Sequence, residues 1–510
     1  MPDIERDERI ELDYGVVLQS SNVSGHIASV RRWYETAGTV REAAPVALPE
    51  QLAADNVPTE AAQLLGTLAQ EAGMRPILTL TLTDLSVAAR PDGQQRGDAN
   101  PPYLEVEVPA PGEDEGQVVL ETDATGLVRW VVSETAAQGQ GTDRADAVQT
   151  FRISVAEFDV GTTIEQNRGW TGFGVRKVIH LLRFPIERAA GRVAEFAMGR
   201  WENQHRPYGL RLTSPGNFLD PTAGEPVTAG RLAELADRPF LLFVHGIFSR
   251  CHTGFHGIGE DLDLLGELHR RYQDRVLVFD HPTVHVDPAD NVRWLLSQLP
   301  ADRTLTLDLV THSRGGLVAR QLGQPTFARD GGPPVPAIRT LIHVATPNSG
   351  TVLADRKRLG DLLDVCTNLL SLFPDEVVSS SLEVILEVVK HCATGVLHGL
   401  GGVAAMDPAS PTLKELNSAA VPKGGRVHAM TSDFKPAEEA GVAIRALNVL
   451  VDSLFGTKND LVVPTEGVHR AGSYVVTDPL VIPSTSAVAH THFFRKAQVR
   501  RQLARWLPED

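Results

Sequence analysis

From Arg238 onward, short runs of Leu, Val, Ile and Phe alternate with helix-like segments: FLLFVH, RVLVFD, TLTLDLVTH, IRTLIHVAT and RVHAMTS. Such runs leave no polar face for water. Strands of this kind must be covered on both sides, which in a strand–helix–strand chain means a parallel sheet between two layers of helix. The pattern predicts a mostly parallel α/β domain over residues 238–510.

The earlier part of the chain has a different period. Over residues 74–160 the segments ILTLTLTDLSV, YLEVEV, QVVLET, GLVRWVV and FRISVAEF are separated by joints rich in Pro, Gly and Asp. They predict a smaller all-β, sandwich-like module. Residues 1–73 are mixed and end in a predicted helix from Pro58 to Ala72, closed by Gly73. Val175, Val178, Ile179, Leu182, Ile186, Ala189, Ala190, Val193 and Ala197 recur at steps of three and four. That spacing predicts a helix over 175–203, kinked at Pro185, with Arg176, Lys177, Arg183, Arg188, Arg192 and Arg200 on its solvated face. It makes residues 161–237 a helical connector. The stretch LETDATGLVRW resembles the TD-x-x-G hairpin of transthyretin-like and Ig-like bacterial accessory modules. That resemblance implies a scaffold packed on the rest of the chain, or a module that positions a substrate or a protein partner.

Composition narrows the functional classes. Acidic residues number 64 and basic residues 48, a formal net charge of −16. An acidic surface repels nucleic acid and anionic bilayers, so neither is expected as a main partner. Cys251, Cys366 and Cys392 have no regular spacing and read as reduced thiols. The N-terminus MPDIERDERIELDYG lacks the apolar stretch of a signal peptide, and no run is long enough to span a bilayer. A cytoplasmic address is the expectation. HExxH, zinc-spaced Cys/His sets, a P-loop and GxGxxG before a helix are all missing from the sequence, so neither metal nor cofactor is expected. GVLHGLGG, residues 395–402, lacks the Lys-Ser/Thr of a phosphate loop and reads as a loop within an insertion.

The chemistry concentrates in LDLVTHSRGGLVAR. An apolar strand runs through Thr311-His312 into Ser313-Arg314-Gly315-Gly316 and then a helix. A tight strand-to-helix turn lifts its middle side chain above the sheet, and the residues beside it must be small because two backbones approach closely there. Gly315 and Gly316 meet that need; Thr311 departs from it, standing where G-x-S-x-G has glycine. A serine hydroxyl near neutral pH needs a base, an acid to orient the base, and donors for an oxyanion. Candidate donors are the N–H groups of Ile247, in FLLFVHGIFSR, and of Arg314, with Phe248 the alternative to Ile247. His245 reads as a residue that holds this loop. The acid is expected at Asp460, in FGTKNDLVVPTEG, with Asp433 as alternative. The base is expected at His490, in VAHTHFFRKAQVRRQLARWL, with His492 as rival; His469 reads as a surface residue.

Together these segments resemble the α/β-hydrolase superfamily, in particular bacterial lipases and esterases, over residues 238–510. His343 to Gly350, HVATPNSG, resembles their turn after strand six. Met406 to Asn417, MDPASPTLKELN, resembles the segment that ends their cap insertions. The resemblance implies a Ser313–His490–Asp460 triad and a helical cap over about 351–405. It implies a small ester or lipid-like substrate; the apolar cap segments DLLDVCTNLLSLF and SLEVILEVVKHC suit an acyl chain or simply pack the cap. An amidase or peptidase with the same triad, and a non-catalytic interaction protein on a hydrolase scaffold, are the competing readings.

Overall fold

The computed structural model describes residues 2–12, 15–32, 59–87, 102–112, 114–134, 148–155, 175–186, 193–324, 327, 334–372, 378–394, 400–422 and 424–509. They form two compact units. One comprises Met1–Ala197, Leu363–His398 and Glu439–Leu450; the other comprises Met198–Leu362, Gly399–Glu438 and Val451–Asp510.

The first unit is a β-sandwich. Its strands are β1 (Asp3–Ile4), β2 (Arg9–Leu12), β3 (Val16–Ser21), β4 (Val23–Arg32), β5 (Arg75–Val87), β6 (Tyr103–Pro109), β7 (Glu115–Asp123), β8 (Val128–Val131), β9 (Val148–Ser154) and β10 (Val175–Pro185). They pair in two antiparallel sheets, β1-β4-β5-β10-β7-β8 and β2-β3-β6-β9. Leu18, Val106 and Phe151 of the smaller sheet and Ile27, Leu80, Val119 and Ile179 of the larger share one buried core. The module therefore starts at Asp3 and closes with β10, wider than the 74–160 span expected. The helix before β5 runs Thr59–Glu71 and is followed by Gly73 at φ +76°, the left-handed geometry that glycine adopts without strain. The LETDATGLVRW stretch is the β7–β8 hairpin, its turn held by Asp123 Oδ1, which accepts from the N–H groups of Thr125 and Leu127.

The helix expected over 175–203 is corrected. Residues 175–185 are strand, paired to β5 on one side and β7 on the other, and among the described residues of that span the helix is Val193–His205. β10 is buried at successive positions from Lys177 to Leu182, hence on both of its faces, and a strand so covered carries a dense apolar run. A run as dense as Val178, Ile179, Leu181, Leu182 and Phe184 meets three-and-four spacing by density alone. Lys177, expected in solvent, is buried and ion-paired with Glu121. Residues 161–174 and 187–192 of the expected connector, and 156–160 at the end of the expected sandwich span, lie outside the described residues.

Two helices of the expected cap, Leu359–Leu372 and Val378–Ala393, place residues 363–393 in this same unit. Asn368 occupies the free edge of β8 as a further strand would. Its Oδ1 accepts the Val128 N–H at 2.9 Å and its Nδ2 donates to the Val128 carbonyl at 2.7 Å. Asp364 accepts the Trp130 N–H at 2.8 Å, and Trp130 Nε1 donates to Thr367 at 3.1 Å. Of the GVLHGLGG loop, 395–399 lies outside the described residues, and Gly401–Ala404 is a helical turn.

The second unit is the α/β domain. Its strands are β11 (Gly209–Leu212), β12 (Glu225–Pro226), β13 (Phe240–Val244), β14 (Val276–Asp280), β15 (Thr306–His312), β16 (Ala337–Val344), β17 (Arg426–Ser432), the hairpin β18 (Arg470–Ala471) and β19 (Tyr474–Val475), and β20 (Leu480–Ile482). The large sheet has the order β12-β11-β14-β13-β15-β16-β17-β20. From β14 to β20 every pairing is parallel; β11 is antiparallel to both β12 and β14. A separate core lies on each face. One is built on Phe218, Phe243, Phe255, Phe494 and Leu503, the other on Phe240, Leu242, Leu295, Leu309 and Val318. The sheet is thus the two-sided, mostly parallel one expected, but it begins at Gly209, inside the span expected to be connector.

All three cysteines are buried and unbridged. Among the described residues no helix is long and apolar enough to cross a membrane.

Candidate active site

β15 ends at His312, and the helix Gly315–Leu322 begins three residues on. Ser313 takes the whole change of direction at φ +52°, a region non-glycine residues enter only when the surroundings hold them there. Its N–H donates to the Val344 carbonyl at 2.9 Å. The turn is tight enough that a Cβ on Gly315 would overlap the carbonyl oxygens of Val244 and His245. Thr311, the departure from the usual glycine, is fully buried and donates its hydroxyl to the Ile342 carbonyl at 3.0 Å. A β-branched residue is therefore accommodated there with its hydroxyl partnered.

The loop after β13 lies against this turn. A Cβ on Gly246 would come within 2.6 Å of Ser313 Cβ and 3.2 Å of its Oγ. The N–H groups of Ile247 and Arg314 have no hydrogen-bond acceptor among the described residues. The Phe248 N–H is engaged, donating to Thr283 Oγ1 at 3.3 Å. His245 is fully buried; its Nδ1 donates to the Gly246 carbonyl at 3.0 Å and its Nε2 accepts the His281 N–H at 3.1 Å. Burial pushes its pKa down to about 4, so the ring is neutral and holds the loop. The Arg314 side chain is buried as well, donating to the Gly402 carbonyl at 3.1 Å, to Asn291 Oδ1 at 3.0 Å and to the Val286 carbonyl. Burial lowers its pKa to about 10, which leaves it charged.

Asp460 and His490 meet. His490 Nδ1 is 2.8 Å from Asp460 Oδ2, and the His490 N–H donates to the Asp460 carbonyl at 2.9 Å. Both side chains are almost fully buried. The other carboxylate oxygen of Asp460 accepts the N–H groups of Val462 at 3.0 Å and Val463 at 2.7 Å, a turn made possible by Leu461 at φ +81°. His312, next to Ser313, donates from Nε2 to the His490 carbonyl at 3.0 Å, and the two rings lie 5.0 Å apart. His490 Nε2 is buried and takes no hydrogen bond from Ser313 or any other described residue.

The alternatives sit elsewhere. Asp433 pairs with Lys458 at 3.5 Å. His492 is half-buried, with a pKa lowered to about 4 by burial. His469 closes the turn Glu466–Val468. Among the described residues His245, Cys251 and Asp280 are the grouping whose ligand atoms lie close enough for a metal ion. Those atoms are already engaged: His245 Nε2 takes an amide proton, Asp280 accepts from the Cys251 N–H at 2.8 Å and Arg211 at 3.1 Å, and burial drives the Cys251 pKa upward.

Sequence reasoning did not find His312, Thr283, Glu202 or Arg206, all of which hold this site through contacts to distant parts of the chain. No local motif announces them.

A family model described as a domain of unknown function (DUF7379) matches residues 205–508. No curated protein sequence matches the chain. Among solved structures it is similar to EstA from Clostridium botulinum, at 11% identity and a TM-score of 0.37, covering 59% of this chain and 99% of that one. It is similar also to lipase 1 from Pelosinus fermentans, at 11% identity and a TM-score of 0.34, covering 53% and 100%. A third is the Bacillus licheniformis lipase BlEst2 in mature form, at 13% identity and a TM-score of 0.26, covering 56% and 92%.

Proposed function

Given that the chain belongs to the family of the domain of unknown function DUF7379, we propose that it is an α/β-hydrolase that cleaves carboxylic esters through Ser313, His490 and Asp460. One observation carries this reading. The Asp460–His490 pair, 2.8 Å apart and buried, is tied through the His490 carbonyl to His312, the residue before a serine held at positive φ.

In the proposed reaction Ser313 Oγ attacks the ester carbonyl while His490 Nε2 takes its proton. The bond from Asp460 to Nδ1–H fixes the tautomer that leaves Nε2 basic and stabilises the imidazolium that forms. The tetrahedral oxyanion accepts from the N–H groups of Ile247 and Arg314. Its collapse breaks the bond to the alkoxy oxygen, which leaves as an alcohol carrying the proton from Nε2. Water then attacks the acyl-enzyme by the same route and releases the acid and free Ser313. The Ser313–His490 hydrogen bond is one that closes in the substrate complex.

The test is Ser313→Ala on the full chain, assayed with a series of p-nitrophenyl esters from acetate upward. Turnover falls by at least about 10³-fold, with the melting temperature unchanged, and a fluorophosphonate labels Ser313 in the wild type. Undiminished turnover in the variant refutes the assignment. The ester series also gives the acyl length preferred.

A further inference from the structure

Ile247 and Phe248 stand side by side in the loop facing Ser313, and the two N–H groups compete for the role of oxyanion donor. The loop's anchors decide between them. Phe248 is held at φ +55°, and its N–H points away to Thr283 Oγ1 at 3.3 Å. The Thr283 hydroxyl in turn donates to Glu202 Oε1 at 3.3 Å, which leaves its lone pair facing Phe248.

Glu202 is fully buried at the C-terminal end of the helix Val193–His205. Its carboxylate gathers the loop after β14. It accepts the N–H of Thr283, the N–H of Val284 at 2.9 Å, the N–H of His285 at 3.0 Å, and sits 2.6 Å from His285 Nδ1. Burial alone raises the pKa of such a group, but the side-chain and backbone donors of His285, with Thr283, hold it below the usual carboxylate range. Arg206 works from the same helix end. It donates to the Ser249 carbonyl at 3.1 Å and the Phe248 carbonyl at 3.4 Å. One helix terminus thus grips the loop by its carbonyls directly and by one amide through Thr283.

We infer that Thr283, seated by Glu202, is a positioning residue that takes up the Phe248 N–H and fixes the turn so that the Ile247 N–H is the oxyanion donor. The inference rests on the serine-hydrolase reading above. Preorganised donors stabilise the transition state more than the bound substrate, so losing this anchor affects kcat and leaves KM nearly alone.

The experiment compares the full-length wild type with Thr283→Val, which keeps shape without the hydroxyl, and Thr283→Ser, which restores it. Measured are kcat and KM for a short p-nitrophenyl ester, inhibition by an alkylboronic acid that forms a tetrahedral adduct with serine, and the melting temperature. Thr283→Val lowers kcat by about 10- to 100-fold, a fraction of what loss of a whole oxyanion donor costs. KM stays within about twofold, boronate inhibition weakens in parallel with kcat, and Thr283→Ser recovers most of the loss. If the valine variant does not fold, Thr283→Ala is judged by the same outcomes. A valine variant with full kcat, or a serine variant as slow as the valine one, overturns the inference alone. A wild type that neither turns over ester nor takes fluorophosphonate at Ser313 overturns the hydrolase reading and this inference with it.

Discussion

Ser313 is held in place by what its neighbours lack. At φ +52° it occupies a conformation that costs on the order of 1–3 kcal/mol. It is kept there because the strand before it and the helix after it are both fixed by burial. Gly315 makes that closeness feasible: any side chain there meets backbone oxygens of Val244 and His245, which cannot move without displacing β13. Gly315→Ala is therefore expected to destabilise the α/β unit by about 3 kcal/mol and to abolish the proposed ester hydrolysis. Gly323→Ala, where the nearest atom to a new Cβ is Ile338 Cδ1 at 3.5 Å, is expected to be tolerated. Equal melting temperatures for the two variants would remove this account of the turn.

Among the elements, β8 shows how an edge strand is finished without another strand. Its outward N–H and C=O groups are taken by side chains of the helix Leu359–Leu372, chiefly Asn368, which is 2% exposed. Asn368→Ala leaves a donor and an acceptor of Val128 buried and unpaired. The expected cost is about 2–3 kcal/mol, read as a lowered denaturation midpoint, together with a rise in aggregation from the uncovered edge. A loss below about 0.5 kcal/mol would mean the edge finds other partners. The same unit shows why the β10 sequence has the spacing of a helix. Burial on both faces removes the polar positions that distinguish a two-residue from a 3.6-residue period, so only its pairing with β5 and β7 identifies it.

At the scale of the whole molecule, the α/β unit depends on histidines that stay neutral. Burial lowers the pKa of His245 to about 4, of His312 and His343 to about 3, and of His281 well below its ordinary value. In the unfolded chain each takes a proton near pH 6.5. Above that pH both states are neutral and nothing is lost; below it the unfolded state alone gains the proton. Stability should fall by about 1.4 kcal/mol per pH unit for each ring until the folded pKa is reached. Denaturant midpoints are thus expected to be flat from pH 8 to 7, to drop steeply below pH 6, and to vanish before about pH 4. Midpoints that hold steady down to pH 4.5 would show that these rings are solvated.

What the sequence determined by itself is what neighbouring residues decide among themselves. The doubly covered sheet follows from apolar runs. The Ser313 turn needs only a strand, a serine, two glycines and a helix in succession. Asp460 and His490 stand out as candidates because each sits in a short loop whose letters constrain its own backbone. What only the tertiary structure decided are the pairings between distant segments. These include β10 as strand rather than helix, Asn368 on the edge of β8, His312 on the carbonyl of residue 490, and Glu202 under a loop more than eighty residues away. A buried polar group must find a partner somewhere, but its own sequence neighbourhood carries no record of which segment the fold will bring within 3 Å.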